Sequence, residues 1–309
     1  MEDLDRIVAV DWSGRVDVAG QRRHIWAGVW AAGKVSLEAG RTRKELIEWL
    51  ITMAHETPRM VVSFDCCFSF PAWFLTEHGC ATVFEFWKKV TEGQGERWLA
   101  RECKEIERDV RFWGAPHKKP EEFCGENLHR MLRQTDIDNK VTPKMAGQDP
   151  ERAAKVKGIT PKSPFQIGGS GSVGTGSLRA MPFLLQMRQA GFRVWPFEPA
   201  HLEGAKPQPL VVEMYTRLMT GAVAKSNERA RKSYLAAKGK TDALYSRLGP
   251  SVIPKAQASE DAFDALVSAL EMVRWRNEFA KLKATKNDVL RLEGITWRPG
   301  VQKLIESVG

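Results

Sequence analysis

Two apolar runs that each end in an aspartate constrain the fold of this chain more than any other feature. The first run begins at residue 6 and ends at Asp11, and the second begins at residue 59 and ends at Asp65. Central strands of a mostly parallel sheet are buried on both faces and consist of nearly continuous Val and Ile. Because such sheets bind ligands at the carboxyl ends of their strands, both aspartates are candidates for one site.

A late amphipathic helix offers two more carboxylates. Residues 259–271 have apolar residues at helical spacing, and Asp261 and Asp264, three residues apart, project from one face at the edge of the apolar stripe. The helix dipole alone favours Asp261 in the first turn, whereas Asp264 lies beyond that turn and gains little from the dipole. The pair is therefore expected to point at the sheet.

Each acid also has a purely structural interpretation. Asp11 precedes Ser13 and Gly14, as at a strand-to-turn junction, and Asp65 precedes Cys66 and could cap a turn. The functional hypothesis therefore depends on the combination of acids.

If four carboxylates met, a cation would have to share their site. Two unit charges 4 Å apart repel by about 4 kcal/mol at an effective dielectric near 20. Ligand sets made only of carboxylate oxygens suit Mg²⁺ or Mn²⁺. Two such ions roughly 4 Å apart activate water and stabilise the leaving oxygen in phosphodiester cleavage.

Charge and composition favour an acidic partner. The 309 residues carry a formal net charge of +9, and basic residues concentrate in segments 140–162, 217–247 and 274–286. Nucleic acid is the expected partner, although a basic helical face is more often simply solvated. No apolar stretch approaches the length of a membrane span, and the five cysteines form no C-x-x-C pair. A cytoplasmic protein that does not enter a membrane is expected.

The order of elements predicts an α/β fold with a mixed sheet flanked by helices. A strand to Asp11, a β-hairpin over 23–38, a helix over 43–54 and a strand to Asp65 open the chain. We predict a core of 1–75 plus 165–275. A largely helical insertion is predicted over 76–164, and a C-terminal extension over 276–309 is expected to pack on the core.

A Gly/Ser-rich loop after the insertion is a weak candidate for phosphate binding. Backbone amides of Gly171, Ser172 and Gly174 precede a helix predicted from about residue 178, and Ser13 and Gly14 form a comparable turn after the first strand. The loop is not a P-loop, because it lacks the Gly-Lys-Ser/Thr ending. A flexible loop is the alternative interpretation.

Two further strands carry glutamates. Glu198 ends the run from residue 192, and Glu213 lies midway in the apolar run over 209–215. Burying Glu213 without a cation or hydrogen-bond donor would be costly, so it is the better candidate to join the acids.

The element order and the positions of the acids resemble the ribonuclease H-like fold, in particular the RuvC-type resolvase arrangement. Five segments together also resemble a family of predicted RNase H-like nucleases known as domain of unknown function 429. These segments are residues 9–14, 171–174, 194–198, 211–215 and 261–266. The resemblance spans residues 6–275 and does not cover 76–160.

The resemblance implies a metal-dependent nuclease. Asp11 would ligate both Mg²⁺ or Mn²⁺ ions, Asp65 would take the second strand position, and Asp264 with Asp261 would complete the shell. Glu213 matches a family strand motif but has no counterpart in the resolvase scheme. The chain departs from the family pattern at Thr216, where proline is expected.

Two alternatives stay open. An actin-like or sugar-kinase-type phosphotransferase would use the Gly168–Gly176 loop for a nucleotide, but such proteins need two facing domains and only one acid-bearing core is visible. A non-catalytic module could bind nucleic acid through phosphate contacts and aromatic stacking. The sequence leaves DNA or RNA undecided, and a two-armed substrate would suit a homodimer.

Overall fold

A computed structural model of the chain describes residues 4–100, 109–114, 118–140, 159–169, 172–221 and 223–302. In this part of the chain one mixed sheet of seven strands has helices on both faces, which confirms the predicted α/β class. None of the helices described is both long enough and apolar enough to cross a membrane. The four cysteines within these residues are free thiols.

The sheet places its two acid-bearing strands side by side. The strands are β1 (Arg6–Asp11), β2 (Trp26–Ala31), β3 (Lys34–Glu38), β4 (Met60–Phe64), β5 (Arg193–Trp195), β6 (Leu210–Met214) and β7 (Thr296–Trp297). Their order is β3-β2-β1-β4-β6-β5, and β7 also pairs with β6. The β1–β2–β3 pairings are antiparallel, whereas β1–β4 and all pairings beyond it are parallel.

Helices make up most of the remainder. They are α1 (Val18–His24), α2 (Arg43–Glu56), α3 (Ala72–Glu77), α4 (Val83–Lys89), α5 (Gly95–Leu99), α6 (Gln134–Asp138), α7 (Val173–Gln189), α8 (Thr216–Thr220), α9 (Glu228–Thr241), α10 (Ala243–Ser246), α11 (Val252–Ala258), α12 (Glu260–Arg274) and α13 (Leu290–Glu293). A π-helical segment, Val90–Gln94, joins α4 to α5, and 3₁₀ segments cover Glu121–Phe123, Gly125–Met131 and Arg276–Lys281.

Strand alternation divides the core into two layers. Val8 and Val10 of β1 pack on the face covered by α2 and α7, whereas Ile7 and Ala9 pack on the face covered by α12. Helix α12 lies close against β2 because Gly28 has no side chain: a Cβ there would lie 2.4 Å from the carbonyl oxygen of Ala265.

The structure corrects two predicted boundaries. Residues 23 and 24, predicted as the start of a strand, form the end of α1. This helix begins after its N-cap residue Asp17, whose carboxylate accepts a hydrogen bond from the Gly20 N–H at 2.5 Å. Helix α7 begins at Val173 and not near residue 178, so Gly174 lies inside it. The hairpin, the helix from Arg43 and the late helix with its Ser259 N-cap are present as predicted.

A buried ion pair joins the segment before α6 to the sheet. Arg133, which precedes α6, donates to both carboxylate oxygens of Glu213 on β6, at 2.6 and 2.7 Å, and only 1% and 2% of these side chains are exposed. Arg133 also binds Asp136, and Glu213 accepts hydrogen bonds from the Phe68 N–H and the Thr296 hydroxyl. The network therefore links the α6 segment, strand β6, and strand β7 from late in the chain.

Replacing Arg133 by methionine should lower the free energy of unfolding by about 3–5 kcal/mol, because it leaves Glu213 and Asp136 as buried charges without their partner. Urea denaturation followed by circular dichroism measures the change. The control variant Glu48→Gln breaks an exposed pair with Lys44 and should change stability little. Equal effects of the two variants would contradict the role assigned to the buried network.

Candidate active site

Asp11 and Asp65 meet at the carboxyl edge of the sheet. Asp11 is the last residue of β1, and Asp65 directly follows β4. The two strands are parallel neighbours with Val10 opposite Phe64, and the Asp65 N–H donates to the Val10 carbonyl oxygen at 3.1 Å. By strand alternation Asp11 follows Ala9 onto the α12 face of the sheet. The predicted convergence of these two residues is present.

Helix α12 brings Asp264 to the same point. This side chain is 2% exposed, and its Oδ2 lies 3.3 Å from the Thr216 hydroxyl oxygen, which lies 3.1 Å from Oδ2 of Asp65. The other oxygen of Asp264, Oδ1, is buried and has no hydrogen-bond partner. A buried carboxylate oxygen without a donor is costly, so it marks a place suited to a cation or donor.

Burial and neighbouring negative charges raise the pKa values of these carboxylates. Burial raises the pKa of Asp11 well above its ordinary value, and the charges of Asp264, Asp65 and Asp261 raise it further. Burial also raises the pKa of Asp65, and it raises the pKa of Asp264 to about 7, in both cases against the opposing charge of Lys225. The site thus concentrates negative charge in a poorly solvated place.

The cation among these acids is Lys225. Its ammonium group donates to Oδ2 of Asp264 and lies 3.4 Å from the Thr216 hydroxyl and 3.8 Å from Glu260. The charges of Asp264, Asp65 and Asp11 favour the protonated form and raise the pKa of Lys225 despite its burial. Sequence reasoning missed this residue, because its segment contains many basic residues that look alike.

Thr216, at the start of α8, positions Asp65. Its backbone N–H lies 3.4 Å from Oδ1 of Asp65, and its hydroxyl lies 3.1 Å from Oδ2. The proline expected at this position has neither donor, so the departure from the family pattern adds two contacts to the acids. Sequence reasoning noted the departure but did not assign Thr216 to the acids.

Asp261 lies at the edge of the group and has a different partner. Its Oδ2 is 2.8 Å from Nδ1 of His24, the last residue of α1. About a third of each of these side chains is exposed, at 28% and 33%. The charge of Asp261 raises the pKa of Asp11, but the hydrogen bond of Asp261 is to His24. His24 had no sequence signal, because it was predicted to lie in a strand.

The structure does not bring the glutamates to this point. Glu213 projects from β6 to the opposite face of the sheet, where Arg133 neutralises it, while its neighbour Met214 packs on the α12 side. Glu198 binds Arg188 at 3.0 Å.

The turn after Asp11 packs on the beginning of α7. A Cβ at Gly14 would lie 2.7 Å from the Gly176 nitrogen, and the Gly174 N–H already donates to the Gln166 carbonyl oxygen. Ser172 precedes α7 and makes no capping hydrogen bond through its side chain, and Gly171 lies outside the described residues. The backbone amide of Gly174 is therefore engaged within the protein.

Two arginines surround the same turn. Arg43 donates to the carbonyl oxygens of Ser13 and Arg15, and Arg179 donates to that of Gly14. Burial and the charge of Arg179 lower the pKa of Arg43 to about 10. Both guanidinium groups are therefore engaged within the protein, and Arg179 also pairs with Glu96 at 2.9 Å.

The donor chemistry fits a hard divalent cation, although its ligands are not arranged as a finished metal cage. Within the described residues no three or more His, Cys, Asp or Glu side chains form a group set to hold a metal ion. The partnerless Oδ1 of Asp264, and the pKa values of Asp11 and Asp65 that burial raises, nevertheless indicate unmet demand for positive charge. Carboxylate oxygens are the ligands preferred by Mg²⁺ and Mn²⁺.

Comparison with protein-family models, with curated proteins and with solved structures found no match. The family resemblance therefore rests on the motifs in the sequence.

Removing the Asp264 carboxylate should change how stability depends on pH. The folded-state pKa of Asp264, about 7, lies above its ordinary 3.8, so between these values the folded protein binds more protons and its stability falls as pH rises. The variant Asp264→Asn lacks this contribution. As the pH rises from about 4 to about 7, the free energy of unfolding of the variant minus that of wild type should therefore increase. Urea denaturation without divalent ions measures it.

The control for that experiment is Asp288→Asn, which removes a carboxyl group that is 94% exposed and should follow the wild-type pH dependence. A constant stability difference between wild type and Asp264→Asn across this range would contradict the raised pKa.

Proposed function

We propose that the protein is a metal-dependent nuclease of ribonuclease H-like type that hydrolyses phosphodiester bonds of DNA or RNA. The hairpin of β2 and β3 beside β1, with parallel β4 on the other side of β1, supports the ribonuclease H-like interpretation. The α/β architecture alone would be compatible with many activities, so the nuclease proposal rests on the residues of the candidate active site.

The observation that carries the proposal is the meeting of Asp11, Asp65 and Asp264. These residues come from adjacent strand ends and a late helix; burial raises the pKa of each, and the charges of Asp264 and Asp65 raise that of Asp11 further. Burying such a group costs stability, which is expected where the carboxylates serve a function that needs them close together. Asp11, Asp65 and Asp264 would hold Mg²⁺ or Mn²⁺, which when bound supplies an activated water and charge stabilisation at the phosphate.

The surrounding side chains orient these carboxylates. Thr216 fixes Asp65 through its N–H and hydroxyl, and the Ser259 cap begins α12 so that Asp264 faces the sheet. Because α12 packs against Gly28 without an intervening side chain, a larger residue there would move Asp264 away from the strand ends.

Basic groups beside the site support a polyanionic substrate. The segment that carries Lys225 leads directly into α9, whereas Arg43 and Arg179 at the turn after Asp11 bind carbonyl oxygens within the protein. Exposed basic side chains of α9 include Arg229, Lys232 and Lys240. In contrast, Arg217 and Arg231 of the same sequence cluster bind carbonyl oxygens within the protein and are not available to phosphate.

A non-catalytic nucleic-acid-binding module is the second candidate, and the observation that favours it is Lys225. An ammonium group already neutralises part of the acid cluster, so the site can exist without a metal ion. The phosphotransferase alternative has less support, since the described residues contain one acid-bearing sheet and no second one facing it.

A nuclease assay separates these candidates. Labelled single strands, duplexes, RNA–DNA hybrids and four-way junctions should include at least one substrate that is cut with Mg²⁺ or Mn²⁺. Losing a side chain that only supports a metal ligand typically lowers activity by up to about 100-fold. Asp11→Asn should reduce the cleavage by more than this, because Asp11 is assigned as a direct ligand. The control Glu122→Gln replaces an exposed acid of the insertion and should cleave like wild type. Binding without cleavage of any substrate would favour the second candidate and contradict the nuclease proposal.

A further inference from the structure

Lys225 occupies the position that the acid cluster would offer to a cation. Its ammonium group donates to Asp264 and lies within the electrostatic reach of Asp65 and Asp11. The buried Oδ1 of Asp264, which has no partner, is a second and independent indication that this site can take a ligand.

The backbone that carries Lys225 is held in place, whereas its side chain reaches partly into solvent. Arg231, itself buried, donates to the Lys225 carbonyl oxygen at 2.6 Å, and Arg217 donates to the carbonyl oxygens of Gly221 and Val223. The Lys225 side chain is 18% exposed, against 3% for that of Asp264. The ammonium group can therefore leave the acids by rotation about side-chain bonds, without unfolding of the segment.

We propose that Lys225 competes with a divalent cation for the carboxylates, and so sets the affinity of the site for Mg²⁺ or Mn²⁺. This inference rests on the proposed function. While no metal is bound, the ammonium group pairs with Asp264, and when a metal ion binds, Lys225 is displaced toward solvent. It is then a cation at the edge of the site, where a substrate phosphate is its natural partner.

Electrostatics supports competition over joint occupancy. A lysine at hydrogen-bond distance from Asp264 would repel a divalent ion bound to the same carboxylate. Because the ion carries two charges, this repulsion would exceed that between two unit charges at the same distance. The alternative is a permanent structural ion pair, in which Lys225 stays on Asp264 whether or not metal is present. The two accounts predict opposite effects of removing the lysine on metal affinity.

The first test is Mn²⁺ binding, measured by electron paramagnetic resonance of free Mn²⁺ with the full chain and no nucleic acid. Lys225→Met should bind at least about tenfold more tightly than wild type, because one competing positive charge is gone. Lys88→Met makes the same change of charge at an exposed pair with Glu92 and should bind like wild type. Unchanged or weaker binding by Lys225→Met, or equal tightening by both variants, would overturn the proposal.

A second test uses the wild-type protein, so it does not depend on the variant folding. Reductive methylation with formaldehyde, followed by peptide mass spectrometry, reports the accessibility of each lysine amine. Methylation of Lys225 should increase when Mn²⁺ is added, while that of Lys255, which donates to the Leu37 carbonyl oxygen, should not change. Methylation of Lys225 that Mn²⁺ leaves unchanged or decreases would overturn the competition.

The outcomes separate this inference from the nuclease proposal. If Lys225→Met tightens Mn²⁺ binding and Asp11→Asn abolishes it, the competition holds even when no nucleic acid is cut. If nucleic acid is cut in a metal-dependent way but Lys225→Met does not tighten binding, the nuclease proposal stands and the competition is wrong.

Discussion

The crowding of three carboxylates, two half-buried at the ends of β1 and β4 and one buried on α12, is the constraint around which this structure is arranged. Parallel pairing fixes Asp11 and Asp65 next to each other, and α12 adds Asp264 with almost no exposure to solvent. Burial and like charge both raise the pKa values of these groups, so their presence costs stability. The Thr216 donors and the Lys225 ammonium group offset part of that cost, but Oδ1 of Asp264 stays without a partner.

A second buried charge centre lies on the opposite face of the same sheet and has a different purpose. Arg133 donates to both oxygens of Glu213 and to both of Asp136, and Phe68 and Thr296 also donate to Glu213, so every one of these carboxylate oxygens has a hydrogen-bond donor. This centre connects distant parts of the chain, whereas the aspartates on the α12 face are only partly neutralised. The contrast between a satisfied and an unsatisfied group of buried charges is what distinguishes scaffold from candidate site.

Local sequence patterns predicted the parts of the site that depend on strand ends and helix spacing. Asp11, Asp65 and Asp264 were found because apolar runs and a 3.6-residue period can be read directly from the chain. Glu213 was assigned to the same site because its cost of burial was recognised, but strand alternation sends it to the other face, and its arginine lies 80 residues away. Lys225 and His24 come from segments whose positions depend on tertiary packing, which no local pattern encodes.

The proposed competition requires that Asp11, Asp65 and Asp264 form a divalent-cation site from which Lys225 is displaced. A crystal soaked in Mn²⁺ and measured at the manganese absorption edge tests this requirement. We expect an anomalous peak about 2 Å from carboxylate oxygens of Asp11, Asp65 and Asp264, with the Lys225 amine moved away from Asp264. Saturating Mn²⁺ with no peak at these residues, and Lys225 still paired with Asp264, would contradict it.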